Sequence, residues 1–271
     1  MLLTKKLTSG STRTRYRAPV SRNVRQQYQE SFTSMHVICG ADGCRAGWVV
    51  ISKDLDSGSV SWRLCSTAHE LAYSQPTPQI IALDIPIGLP EAGPRDCDLE
   101  ARRLLGPGRA SSVFPAPIRP VLAATSYDDA CRIRFRVEGK KMSLQAWAII
   151  PKIQAVDELL RQDSELCGRV REVHPEVSFY FLAGKRPLQH GKKGKFGKIG
   201  REERRKLLEP IFGQWLQAAL AERSKLGSAE DDILDAFVAL WTAERIASGV
   251  SQTIPSAPPR DTFGLRMEMV A

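Results

Sequence analysis

HVICGADGCRAGWVV, residues 36–50, sets Asp42 between two apolar runs, 36–41 and 47–53. The runs read as strands and the Asp-Gly pair at 42–43 as the turn between them. The loop DLDSGS (54–59) and the run 59–66 extend the pattern to a third antiparallel strand. A short helical stretch near 67–75 leads into QIIALDIPIGLP (79–90), where 79–85 is apolar without alternation and carries Asp84 near its end. Such a run is expected of a parallel strand buried on both faces. Three antiparallel strands, a helix and a buried parallel strand predict an α/β domain on a mixed sheet.

Residues 95–165 read as a mainly helical insertion. RDCDLEARRLLG (95–106) is amphipathic and meets a helix stop at Gly106-Pro107. GPGRASSVFPAPIRP (106–120) holds four prolines and predicts an irregular loop. In SLQAWAIIPKIQAVDELLRQ (143–162), Leu144, Trp147, Ile150, Ile153, Val156 and Leu160 recur at helical spacing, with Pro151 as a kink. GRVREVHPEVSFYFLAG (168–184) resumes strand character, and an exposed loop with Lys192, Lys193, Lys195 and Lys198 follows, a candidate for gripping phosphate. Two helices, 201–222 and 229–248, and an edge strand within 255–271 complete the expected order.

The composition, 42% hydrophobic and 25% charged, is that of a globular chain able to bury a core. No run approaches the roughly 18 apolar residues of a membrane-spanning helix. The six cysteines form no CxxC pair and fall mostly in apolar contexts, so they are expected reduced, in a cytoplasmic protein. The net charge of +9 is unevenly placed: residues 1–34 carry seven basic residues against Glu30 alone, leaving +3 for the rest. That basic segment lacks apolar periodicity and is expected to be disordered. A nucleic-acid arm, a transit peptide and translated sequence upstream of a true start at Met35 are the three readings of it. The last is favoured, because Met35 directly precedes the first strand. The domain is then 35–271.

Four aspartates stand against apolar elements: Asp42, Asp84, and the pair in EDDILDAFVALW (230–241), Asp232 and Asp235. A buried unpaired carboxylate costs several kcal/mol. Two of them about 4 Å apart repel by about 4 kcal/mol at an intermediate dielectric. A divalent cation cancels both costs, and an oxygen-only ligand set suits Mg²⁺ or Mn²⁺. Each aspartate also has a plain structural reading: a turn at Asp42, a turn or cap at Asp84, a capping box at the start of the last helix for Asp232. Asp235 lies too far into the helix for that. Glu172, His174 and Glu176 alternate at strand spacing and are expected on one side of the fifth strand, beside the Asp84 strand end. Pro175 interrupts that spacing. Arg45 and Arg109 are the arginines best placed in the chain to meet a phosphate.

Five stretches together resemble a known family: GADGCRAGWVV (40–50), ALDIPIGLP (82–90), ARRLLGPGRASSVFPAP (101–117), EVHPEVSF (172–179) and DDILDAFVALWTAERI (231–246). They occur in the order and style of the domain of unknown function 429 family, described as predicted nucleases of ribonuclease H-like fold. The resemblance spans about 36–271. It implies a ribonuclease H-like mixed five-stranded sheet with flanking helices and a helical insertion between strands four and five. Asp232-x-x-Asp235-Ala236 is also similar to the last-helix pattern of Holliday-junction resolvases. The chain departs from resolvases in having Asp84 where they usually carry glutamate, and in its insertion.

The expected function is hydrolysis of phosphodiesters, in nucleic acid or a smaller ester, by a two-metal mechanism. Asp42 is expected to bridge both ions, Asp84 and Asp235 to hold one each, and Asp232 to assist. His174 or Glu176 would move the proton, Glu172 is an accessory candidate, and Arg45 and Arg109 would orient the phosphate. Two rivals keep the fold: a non-catalytic nucleic-acid-binding or regulatory module, and an actin-like phosphotransferase, for whose second domain the chain has no room.

Overall fold

The computed structural model describes residues 36–271. A five-stranded sheet in the order β3-β2-β1-β4-β5 forms its centre. Its strands are β1 (Val37–Cys44), β2 (Gly47–Asp54), β3 (Val60–Cys65), β4 (Ile80–Asp84) and β5 (Val170–Glu172). The first three are antiparallel, whereas β4 runs parallel to β1 and β5 parallel to β4. The chain has the ribonuclease H-like topology expected of it. One sheet of this kind lies among the described residues, and an actin-like arrangement needs two.

Helices cover both faces. Helix α1 (Ala68–Ala72) links β3 to β4, and an insertion between β4 and β5 holds α2 (Asp96–Arg109), α3 (Tyr127–Glu138), α4 (Leu144–Ala148), α5 (Ile150–Gln162) and α6 (Ser164–Arg169). After β5 come α7 (Pro175–Leu182), α8 (Gly197–Ala221) and α9 (Glu230–Ala247). Period-two alternation sorts the sheet into two cores. Cys39, Ala41, Trp48, Ile81 and Leu83 pack toward α1 and the insertion. Ile38, Val49, Ile51 and Ala82 pack toward α8 and α9. Helix α9 is buried nearly all round, which explains its apolar sequence.

Gly40 lets α9 sit directly on β1. A Cβ at this position would stand 2.0 Å from the Leu240 nitrogen and 2.5 Å from the Ala236 oxygen, so the strand and helix touch backbone to backbone. Small residues on the helix, Ala236 and Ala239, complete the contact.

Four expectations change. The β1–β2 turn is Arg45–Ala46, closed by Cys44 and Gly47, and β1 runs straight through Asp42-Gly43. The Asp-Gly pair is a common turn signal, but here eight residue pairs zip past it. Regular helix in α2 breaks at Gly106 (φ 68°), and one further turn begins at Pro107. The 168–184 stretch is strand only as far as Glu172, because Pro175 starts a helix at its first position. The tail adds no strand to the main sheet. Met269–Val270 (β7) pairs instead with Thr253–Ile254 (β6) in a separate ribbon packed on α2. The basic tail, residues 1–34, lies outside the described residues, as does Met35.

Candidate functional site

Register places the first two carboxylates. In the parallel β1–β4 pair, Asp42 is opposite Asp84, so both side chains leave the same face at neighbouring strand ends. That is the face covered by α9, and the Gly40 contact draws Asp235 onto them. Single ligand oxygens from Asp42, Asp84 and Asp235 lie within 4.8 Å of one another. Asp42 and Asp235 are buried, Asp84 partly so.

The cluster is electrostatically loaded. Burial and the neighbouring Asp84 push Asp42 well above the usual carboxylate range, with Lys192 pulling it back. Burial also raises Asp84, opposed by the neighbouring His174 and Lys192. Asp232 is raised too, chiefly by burial. Its Oδ2 accepts the Ala229 N–H at 2.9 Å, so it caps the start of α9, and its charge helps to raise Asp42. Lys192 reaches the cluster from the segment before α8 and makes an ion pair with Asp235 Oδ2. The other oxygen, Asp235 Oδ1, is buried without a hydrogen-bond partner among the described residues.

These features fit a divalent cation. The donors are all carboxylate oxygens, one is orphaned, and raised pKa values are the mark of uncompensated negative charge. Mg²⁺ and Mn²⁺ both accept such a set.

The other site candidates separate. His174 caps α7, its Nδ1 accepting the Glu176 N–H at 3.2 Å. That leaves Nε2 to carry the hydrogen when the ring is neutral. Glu176 is held by two arginines while its charge still acts on Asp84: it accepts from Arg109 Nη2 at 2.7 Å and pairs with the wholly buried Arg204. Although burial opposes it, Arg204 leads in holding Glu176 below its usual pKa. A carboxylate so engaged is a poor proton carrier, and Arg109 is correspondingly committed.

Glu172 is on the other face. It pairs in register with Leu83, one residue before Asp84, and a one-residue offset reverses side-chain direction. There it accepts two 2.7 Å bonds from Arg95 and one of 2.6 Å from the Ile87 N–H, fixing the loop that follows Asp84. Arg45 is exposed on the β1–β2 turn.

Sequence reasoning missed Arg204 and underrated Lys192. Arg204 had a signal: it falls in phase with Leu208, Phe212 and Leu216 on one helical stripe, where a charge must find a buried partner. Lys192 had none, because its partner lies 43 residues away at Asp235.

Fold and site together define a ribonuclease H-like α/β domain with a buried three-carboxylate cluster at the strand ends. The family described as "Protein of unknown function (DUF429)" matches residues 40–260, and the chain belongs to it. No curated protein and no solved structure matches the chain significantly.

Proposed function

We propose that this chain is a metal-dependent nuclease hydrolysing phosphodiester bonds. The observation that carries the reading is the convergence of ligand oxygens of Asp42, Asp84 and Asp235 within 4.8 Å, with Asp235 Oδ1 buried and unpartnered among the described residues. Asp42, Asp84 and Asp235, with Asp232 assisting, would hold Mg²⁺ or Mn²⁺ in a two-ion arrangement that supplies an activated hydroxide and Lewis-acid stabilisation of the leaving oxygen.

The chain's own residues have the remaining tasks. His174 offers a ring nitrogen near Asp84 for proton transfer, its other nitrogen being fixed by the Glu176 N–H. Lys192 brings an ammonium into the cluster, where it would draw a substrate phosphate toward the carboxylates. Arg45, at the open turn beside Asp42, is free to orient that phosphate. The Arg95–Glu172 pair on the opposite face holds the Asp84 loop, and Arg204 with Glu176 holds the Lys192 segment.

One observation favours a second reading. The Lys192–Asp235 pair neutralises part of the cluster without an ion, as a non-catalytic nucleic-acid-binding module would need.

Calorimetry with Mg²⁺ and Mn²⁺, on the wild type, Asp42→Asn and Asp235→Asn, separates the two. Binding to the wild type that both variants lose, followed by metal-dependent cleavage of labelled oligonucleotides, supports the nuclease. Oligonucleotide binding in chelator with no turnover under any metal supports the module.

A further inference from the structure

Residues 190–199, HGKKGKFGKI, are only partly used by the site described above. Lys192 turns inward to Asp235, but Lys193, Lys195, Phe196, Lys198 and Ile199 are exposed. No acidic residue occurs between Val177 and Arg201, and of the carboxylates that approach from outside, Asp231 lies 3.8 Å from Lys193 and Glu203 lies 3.7 Å from His190, which leaves Lys195 and Lys198 to the surface. Among these lysines Phe196 keeps half of its surface open. Its ring lies 5.6 Å from that of His190, and Lys195 Nζ stands 5.5 Å from its centroid.

The segment is held in shape from beneath. Arg201 Nη1 donates to the Lys192 carbonyl at 2.9 Å, and Arg204 Nη1 donates to the His190 carbonyl at 3.0 Å. The ends of the segment close on each other through glycines. A Cβ on Gly200 would stand 2.2 Å from the Gly191 oxygen, and one on Gly197 would stand 2.9 Å from the Lys192 oxygen. Phe196 and the lysines are thus presented on a fixed backbone, which lowers the entropy lost on binding.

We propose that this segment is a clamp for single-stranded polynucleotide, with Phe196 stacking on an unpaired base and Lys195 and Lys198 meeting the flanking phosphates. The class of ligand follows from the chemistry: an exposed aromatic ring needs an unpaired base face, and interleaved lysines need a phosphate chain. A duplex hides its base faces and offers Phe196 nothing to stack on. The placement also suits the nuclease reading on which the clamp's purpose rests. Phe196 is four residues from Lys192, at most about 14 Å along the backbone, so a strand stacked there passes the carboxylate cluster within a few nucleotides.

The test is fluorescence anisotropy of the full chain with labelled single-stranded DNA, single-stranded RNA and duplex DNA, all in chelator. Phe196→Ala is exposed and should fold as the wild type does, which circular dichroism verifies. It is expected to weaken single-strand binding about tenfold or more and to leave duplex binding unchanged. Phe196→Trp should restore it. Lys195→Ala and Lys198→Ala should each lower the slope of log affinity against log salt by about 0.7. Equal loss on single strand and duplex, or no loss on either, overturns the clamp. The two DNA and RNA arms identify the strand the clamp takes. Because chelator suppresses turnover, the result is independent of the nuclease reading. Single-strand binding that depends on Phe196, without cleavage under any metal, leaves the clamp standing and removes the nuclease.

Discussion

Gly40 and Leu240 meet backbone to backbone: a Cβ on the glycine would lie 2.0 Å from the Leu240 nitrogen. This contact sets the height of the last helix above the sheet, and with it the distance from Asp235 to Asp42 and Asp84. Gly40→Ala must push the helix outward through a buried layer that has no slack. We expect a loss of at least about 3 kcal/mol in urea denaturation, together with weakened Mn²⁺ binding in whatever fraction remains folded. A loss below about 1 kcal/mol would mean that helix and strand are not in such close contact.

The central features of this arrangement were legible in the sequence for local reasons. Apolar runs at 37–41 and 80–83 announce central strands, and a helix apolar nearly all round from Ile233 to Trp241 announces a buried one. Aspartates inside such elements are conspicuous because burial penalises them. What escaped was set by pairing over distance. The side to which Glu172 points depends on its register with Leu83, and the engagement of Glu176 depends on Arg204, 28 residues on. The turn at Arg45–Ala46 escaped for a related reason, since the closing strand pair outweighs the local preference of Asp42-Gly43.

The raised carboxylates make stability depend on pH with a definite sign. In the metal-free protein Asp42, Asp84, Asp232 and Glu172 all have folded pKa values above their unfolded ones, Glu172 being pushed up to about 7 by burial against the pull of Arg95. Above about pH 4 the folded state therefore holds more protons than the unfolded chain, and stability falls as pH rises through the folded values. Glu176 has the opposite sign: its contribution is complete above about pH 4.3 and is lost only as pH falls through its lowered folded value. Thermal denaturation in chelator between pH 4.5 and 8 should thus show a decline with pH. Asp42→Asn should make it shallower, leaving the part that Glu172 contributes, and Mg²⁺ or Mn²⁺ should raise stability most at the alkaline end. A slope unchanged in the variant would show that Asp42 is not the loaded group.

Lys192 stands in for part of the cation that the cluster invites. Replacing it by methionine keeps much of the aliphatic stem but removes the charge. Without divalent ions the variant should be less stable than the wild type, because Asp235 loses its counter-ion. With them the order should reverse in affinity: a neighbouring positive charge opposes a dication, so Lys192→Met should bind Mn²⁺ at least about tenfold more tightly. Unchanged affinity by calorimetry would place Lys192 outside the ion's field.

Glu176 separates a structural role from a chemical one. Arg204 is completely buried, and Glu176 is its carboxylate partner. Removing one partner of such a pair leaves the other charge uncompensated, at a cost of about 3–5 kcal/mol. Glu176→Ala should therefore lose stability on that scale and free the Lys192 segment, which Arg204 also holds through the His190 and Gly200 carbonyls. Arg204→Met should lose less, because methionine suits the apolar site and Glu176 keeps Arg109. A proton carrier behaves differently: its replacement would leave denaturation untouched and shift the pH profile of cleavage. Denaturation curves of the two variants, read beside that profile, decide between them, and an Ala variant as stable as the wild type would return Glu176 to the list of proton carriers.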